Sequence, residues 1–322
     1  MSESKLNYAI RAPTIDDLHA VVALVNDCSI AEGGRPDETS QNLLSDWNTP
    51  GLALATNAWV ASAPDGKIVG YEQVEVSDDD SPCELDGYVH PDCTGQGIGA
   101  SLLRLAEDRA RAALAIDAHK QPARLHGNIA AANVGARQLF SDAGYHVVRH
   151  FWRMEIELHA PPARPIWPAG ISIRTFVPGQ DERATHATIE EAFEDHWEHA
   201  PIGFDEWSRR QIQRDDFDPA FWFLANDGDE VVGTVLCYAR SASMGWVRGL
   251  GVRRGWRGRG LGLALLQHAF GAFYSCGRST IGLGVDAQSP TGATRLYQRA
   301  GMRVTEEYET YEKVLSFTIL GS

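Results

Sequence analysis

A glycine-dense stretch, Thr94-Gly95-Gln96-Gly97-Ile98-Gly99, returns 163 residues later as Arg257-Gly258-Arg259-Gly260-Leu261-Gly262. In both places an apolar run leads in and a helix-like run leads out. The same offset relates Arg11 to Arg174, Gly70 to Gly233 and Gly97 to Gly260. Three anchors at one spacing read as a tandem duplication, so the chain has to fold as two copies of one unit. Past the turns the spacing falls to 157, between Gly144-Tyr145 and Gly301-Met302, so the second copy has lost six residues there.

The seam between the copies shows in composition. His159 to Gly170 carries four prolines in twelve residues. Proline fixes φ and removes a backbone donor, which makes an extended, semi-rigid linker. The expected organisation is a first domain over 1–158, a linker over 159–170 and a second domain over 171–322. Each half is a comfortable size for one core.

Within each half the periodicities alternate. The first opens with a strand at Tyr8–Arg11 and a helix from Thr14, where Asp17 three residues on completes a capping-box pattern. Strands follow at Ala58–Ala63 and Lys67–Val76, joined by the turn Pro64-Asp65-Gly66. The run Cys83–Val89 enters the first glycine turn, and Ile98–Ala113 leaves it as a helix. A strand at Ala123–Asn128, a helix over Asn133–Asp142 and a strand from Tyr145 close the unit. The second half repeats the order, with strands expected at Ile171–Phe176, Phe221–Asn226, Glu230–Ala239, Gly245–Val252, Thr280–Val285 and Met302–Val314. Its helices fall at Asp181–Phe193, Leu261–Phe273 and Thr291–Arg299. Hairpin strands with helices on the faces give a mixed α/β, or α+β, sheet rather than an alternating dinucleotide-binding unit.

A strand-to-helix turn rich in glycine aims free N–H groups and a helix dipole at an anion, usually a phosphate. A dinucleotide fingerprint needs G-x-G-x-x-G after the first strand of its unit. Here the pattern is G-x-G-x-G after a third or fourth strand. The Gly-Lys-[Ser/Thr] of a triphosphate loop is absent. A plain tight turn needing small residues remains as the other reading.

Val89-His90-Pro91-Asp92-Cys93-Thr94-Gly95-Gln96-Gly97-Ile98-Gly99 and Val252 to Gly262 resemble the acetyl-CoA loop of the GNAT superfamily of N-acetyltransferases, [Arg/Gln]-x-x-Gly-x-[Gly/Ala]. Asn133 to Tyr145 and Gly292 to Met302 resemble the second cofactor motif of that family. The likeness covers nearly the whole chain, as two GNAT-like domains in tandem. It implies that acetyl-CoA is the co-substrate. Its pyrophosphate would lie on Arg257, Gly258, Arg259, Gly260, Leu261 and Gly262, with the pantetheine arm along the strand at Val252. The first-copy counterparts would be Val89, Gly95, Gln96, Gly97, Ile98, Gly99 and Asn133.

The copies differ where chemistry needs them to match. Tyr297 stands at the family's tyrosine position, where a phenol protonates the departing thiolate; the first copy has Phe140 there. The second domain is therefore expected to be catalytic and the first to serve as scaffold or to keep a bound coenzyme A. The family's usual glutamate base, six residues before the final valine of the strand, is replaced by Trp246. Glu194 and Asp286 are the candidate bases. His196, Trp197 and Trp246 are the candidate acceptor contacts, by charge and cation–π attraction for an amine. A solvated acidic helix end is the alternative for the 194–199 cluster, and water is the alternative proton carrier.

The formal net charge of −14 opposes a nucleic-acid partner and suits a small-molecule amine. Five scattered cysteines without C-x-x-C offer neither a disulfide framework nor a zinc site, and no metal is expected. No signal peptide or membrane-length apolar run is evident, which points to the cytoplasm. Monomer and homodimer are both compatible with a tandem that acts as its own pseudo-dimer. The function expected is acetyl transfer to a primary amine of a small molecule. The alternatives are a non-catalytic acyl-CoA sensor or scaffold, and a peptide or protein N-terminal acetyltransferase.

Overall fold

The computed structural model describes residues 8–49, 52–76, 81–114, 123–214 and 216–315. The first half contains β1 (Ala9–Arg11), α1 (Leu18–Ala31), α2 (Ser40–Trp47), α3 (Leu54–Asn57), β2 (Ala58–Ser62) and β3 (Ile68–Glu75). It continues with β4 (Cys83–Val89), α4 (Ile98–Leu114), β5 (Ala123–Ala130), α5 (Val134–Asp142) and β6 (His146–Glu157). The second half contains β7 (Ile171–Thr175), α6 (Glu182–Phe193), α7 (Phe204–Gln211), β8 (Trp222–Asp227), β9 (Glu230–Ala239) and β10 (Met244–Val252). It ends with α8 (Leu261–Ser275), β11 (Thr280–Asp286), α9 (Ala293–Arg299) and β12 (Arg303–Leu315).

Two compact units result, but they do not divide the chain at the proline-rich seam. One is Met1–His150 with Glu307–Ser322, the other Phe151–Glu306. The reason lies in the closing strands. Residues 151–157 of β6 pair antiparallel with β11, and residues 308–315 of β12 pair antiparallel with β5. Each copy therefore lends its last strand to the other, where the sequence reading has each copy closing on itself. Local alternation identifies such a strand but carries no information about which of two homologous edges it will join.

Each unit holds the strand order antiparallel–antiparallel–antiparallel, then parallel, then antiparallel, as β1-β2-β3-β4-β5-β12 and β7-β8-β9-β10-β11-β6. The α/β mixed sheet read from the sequence is thus present twice. The repeated arginines explain themselves: Arg11 donates to both oxygens of Asp17 at 2.7 Å, and Arg174 holds Asp181 in the same way. Asp17 also accepts the Thr14 amide, pinning the chain as it turns into α1. The start differs in detail, since a 3-10 turn over Ile15–Asp17 precedes the α-helix. Helices α2, α3 and α7 have no counterpart among the elements expected from the sequence.

The second unit's core is the face of α8 carrying Leu261, Leu265, Leu266, Ala269, Phe270 and Phe273, packed on Phe223, Val232, Val235, Val247 and Ile281. Gly245 has no Cβ because Phe273 fills that place, 2.5 Å from where a Cβ would stand. This close packing fixes α8 against the sheet and so fixes its N-terminus. No helix among the described residues is long and apolar enough to cross a membrane.

Candidate active site

The site begins with a failure of pairing. Strands β10 and β11 are parallel neighbours, but they pair only at Met244–Trp246 with Thr280–Gly282. Beyond that, β10 keeps its bonds to β9 through Val252, and β11 keeps its bonds to β6 through Asp286. The two strands splay, leaving facing backbone donors and acceptors without a sheet partner. A bulge between Val247 and Gly249 inserts Arg248 and turns the strand at the splay. The cavity between them is about 520 Å³, lined by Leu250, Val252, Leu283, Val285 and Tyr297 among others. That is ordinary for a small-ligand site, and unpaired strand edges suit an extended arm that carries amides.

At one end of the cleft lies the glycine turn. Gly258 has φ 73° and Gly260, the N-cap of α8, has φ 86°, both in the left-handed region that favours glycine. No side chain caps the helix, and nothing lies within 4 Å of where a Cβ at either glycine would be. The first-turn amides of α8 therefore face open space with the positive end of the dipole behind them. Gly262 serves packing instead: a Cβ there would stand 2.8 Å from Leu296 of α9. These features fit a pyrophosphate at the turn and an acyl-bearing arm in the splay.

Tyr297 sits on α9, buried, and lines the cavity. Burial pushes its phenol up to about 12, so it is a proton donor at neutral pH. Asp286 ends β11, buried and in the cavity wall, and accepts the Gln288 amide at 2.9 Å. His196 lies in the same cavity on the segment after α6, its ring 4.2 Å from that of Phe193. Desolvation by burial lowers its pKa, with the charge of Asp286 opposing, so the imidazole is neutral at pH 7.

Other expected site residues have different surroundings. Arg257 donates to the Val252 carbonyl at 3.1 Å, the Ala192 carbonyl at 3.0 Å and Asp195 at 3.1 Å. Its amide bonds to the Arg254 carbonyl. The residue is a strut that ties α6 to the turn. Arg259 is exposed, with no partner among the described residues. Glu194 is exposed and paired with Arg254 at 3.1 Å, away from the cavity wall. Trp246 is also absent from that wall. Its ring lies between the guanidinium groups of Arg153 and Arg240, at 5.2 and 5.1 Å, and covers Gly282. Trp197 stands one layer back, 6.3 Å from the ring of Phe151, which does line the cavity.

In the first unit the counterparts are differently employed. Gly95 and Gly97 have φ 74° and 80°, and Gln96 is exposed between them. Ile98 is buried in the core, and Gly99 admits Leu139 at 3.0 Å from a notional Cβ. The Val89 carbonyl accepts the Cys28 thiol at 3.3 Å. Asn133 caps α5 through Ala136 at 2.9 Å and donates its amide to Glu32. Phe140 packs on Tyr145 and Tyr311, and its ring fills the space beside Gly127.

The sequence reading missed Arg248 and Phe151 in the cavity wall. Arg248 carried a signal, a lone charge within the apolar run Val247 to Val252. Phe151 carried none, because an aromatic residue suits a core equally well.

A split sheet above an uncapped glycine turn marks the class as an acyl-CoA N-acyltransferase fold. The description "Acetyltransferase (GNAT) family" matches residues 185–302, and "Acetyltransferase (GNAT) domain" matches residues 55–147. The mycothiol acetyltransferase of Thermobispora bispora is 34% identical over 297 residues, covering 89% of this chain and 93% of that protein. The crystal structure of a GCN5-related N-acetyltransferase from Sphaerobacter thermophilus superposes with a TM-score of 0.83 at 39% identity, covering 97% of each chain. A tandem GNAT protein from the clavulanic acid biosynthesis pathway shares the fold, with a TM-score of 0.74 at 16% identity over 97% of this chain and 99% of that one. The chain belongs to the GNAT acetyltransferase family, as two such domains in tandem, and is an N-acetyltransferase.

Proposed function

We propose that the second unit transfers an acetyl group from acetyl-CoA to a primary amine of a small molecule, by direct attack within a ternary complex. The observation that carries this is the single cavity holding the uncapped turn, the splayed strand edges and the Tyr297 phenol. Gly258, Gly260 and the first-turn amides of α8 would hold the pyrophosphate, and the β10 edge from Leu250 to Val252 would align the pantetheine arm. Acetyl-CoA supplies the activated acyl group. As the amine nitrogen bonds to the acyl carbon, a strand amide stabilises the oxygen's developing charge. Tyr297 donates its proton to the leaving sulfur as the C–S bond breaks. The proton lost by the amine passes to neutral His196, whose cation Asp286 stabilises.

The first unit then acts as scaffold, a reading supported by Phe140 at the position of Tyr297 and by Asn133 acting as a helix cap. The names of the relatives favour a mycothiol precursor as one candidate amine. A second reading, an acyl-CoA sensor without turnover, draws on Trp246 at the usual base position. Release of free thiol from acetyl-CoA across an amine panel decides between them. Amine-dependent release supports the transferase; tight coenzyme A binding without release for any amine would leave only the sensor.

A further inference from the structure

Where β10 bulges, the inserted residue is Arg248, and it lines the cavity. A guanidinium inside an apolar strand is costly unless paired. Its Nη2 donates to Asp216 at 2.9 Å, and the Asp216 side chain is only 4% exposed. That carboxylate is already held by Arg214, through Nε at 2.9 Å and Nη2 at 3.3 Å. Burial opposes its ionisation, but the hydrogen bond from Arg214 and the charge of Arg248 hold it below the ordinary carboxylate value. Two guanidinium groups therefore meet at this one carboxylate, and Asp216 takes only one of the Arg248 nitrogens. The ring of Tyr238 lies 4.3 Å from the Arg248 guanidinium carbon and fixes the plane of the fork. Nε and Nη1 of Arg248 have no acceptor among the described residues.

The position says what the open donors of Arg248 are for. Arg248 precedes Val252 by four residues, roughly 13 Å of extended strand. The pyrophosphate seat is at the turn beyond Val252, so Arg248 stands at the opposite, reacting end of the arm. Two other cations of the wall, Arg295 and Arg299, come from the α9 side, next to the turn.

We infer that Arg248 is an anion subsite for the acceptor, and that the acceptor is a small amine bearing a carboxylate, an amino acid or a close analogue. The inference rests on the transferase reading above. The open Nε–H and Nη1–H donors can give a carboxylate charge-assisted hydrogen bonds, with Tyr238 and Asp216 holding the guanidinium in place before the ligand arrives. The cavity of about 520 Å³ brings Arg248 and Tyr297 into one wall, so an acceptor docked at Arg248 has its amine beside the reacting end of the arm. The carboxylate docks at Arg248 while the amine faces the thioester.

The test uses matched pairs: glycine, alanine, phenylalanine and glutamate against their carboxamides, with acetyl-CoA and thiol release as readout. The carboxylate member should show a kcat/KM higher by about 10- to 100-fold for its best pair. Arg248→Gln should collapse that preference, and Arg248→Lys, a point charge without the fork, should restore part of it. Turnover that proceeds equally with both members of every pair overturns the subsite and leaves the transferase standing. No turnover with any amine removes the transferase reading instead. The subsite is then judged by calorimetry on the coenzyme A-bound protein, with N-acetylglycine against N-acetylglycinamide. Equal affinities, or a difference that survives Arg248→Gln, would sink it. A thermal melt controls for folding, since Arg214 still holds Asp216 in the variant.

Discussion

Replacing Tyr297 with phenylalanine removes one oxygen from the cleft and little else. The ring is buried, and no hydrogen-bond partner for its hydroxyl is present among the described residues. Phenylalanine already stands at the matching sequence position of the first unit, where Phe140 is buried in a core. The fold should therefore shift by less than ~1 kcal/mol. The rate should not be spared. Burial keeps the phenol protonated at neutral pH, so a proton is at hand as charge develops on the departing sulfur. Loss of that donor should slow kcat by about 10²–10⁴-fold, ~3–5 kcal/mol of barrier. Stopped-flow thiol release with saturating acetyl-CoA measures it, and calorimetry on coenzyme A confirms that binding survives. A kcat within threefold of the parent, with melting unchanged, would remove Tyr297 from the chemistry.

Burial holds His196 and His268 below the ordinary histidine value, so the folded state binds fewer protons than the unfolded chain. Their contribution to stability is complete above about pH 6.5 and fades as pH falls through the folded values, which thermal melts from pH 7.5 to 4.5 will register. If His196 accepts the amine's proton, kcat/KM has an acid limb below pH 6.5, and His196→Gln abolishes that limb while lowering the rate by about 10²-fold; an unchanged profile would show that water carries the proton. Gly260→Ala forces a side chain into φ 86°, at about 1–2 kcal/mol, and should raise KM for acetyl-CoA about tenfold with kcat less affected. Equal KM values would mean that the turn does not hold the donor. Gly284 has nothing within 4 Å of a notional Cβ and lines the cavity, so Gly284→Val should melt within a few degrees of the parent yet lose most turnover. By contrast Gly127→Ala drives a methyl to 2.4 Å from Phe140 and should destabilise by about 1–3 kcal/mol. A cold-stable Gly127→Ala or a fully active Gly284→Val would each contradict the packing account.

Local signals in the chain were strong where a residue's own backbone demands glycine. The positive φ of Gly95, Gly97, Gly258 and Gly260 is a property of the turn itself, so the turns were legible from spacing alone. The arginine–aspartate clasps at 11–17 and 174–181 were legible as a repeat, though not as clasps. What escaped was long-range. The exchange of β6 and β12 depends on which edge each strand meets, which no window of sequence contains. Arg257 was read as an anion contact because of its place in the motif; its partners, Asp195 and the Ala192 carbonyl, lie about sixty residues away. Trp246 was read as facing an amine, but the arginines flanking it come from β6 and from the end of β9–β10. Side-chain direction at a splay is decided by the strands on either side, not by the strand that carries the residue.

The contrast between the two copies rests on a pair of glycines. Gly127 and Gly284 are 157 apart, the same spacing as Gly144 and Gly301, so they occupy one position in the repeat. In the first unit the missing Cβ is replaced by the ring of Phe140, which packs tilted against Tyr145 and edge-on against Tyr311 and completes a core. In the second unit the same space is open and belongs to the cavity wall, with Tyr297 at its edge. A glycine needed for a ligand and a glycine needed for a ring look identical in sequence, and only the residue 13 positions downstream tells them apart. On the proposed reading the first unit lost its donor by gaining a core aromatic, a change that removes one hydroxyl and closes the space a substrate would need. Phe140→Tyr by itself should then fail to create activity in the first unit, since the phenol would enter packed space beside Gly127; thiol release in that variant, measured with Tyr297→Phe in the background, above the level of Tyr297→Phe alone would show that the first cleft is open after all.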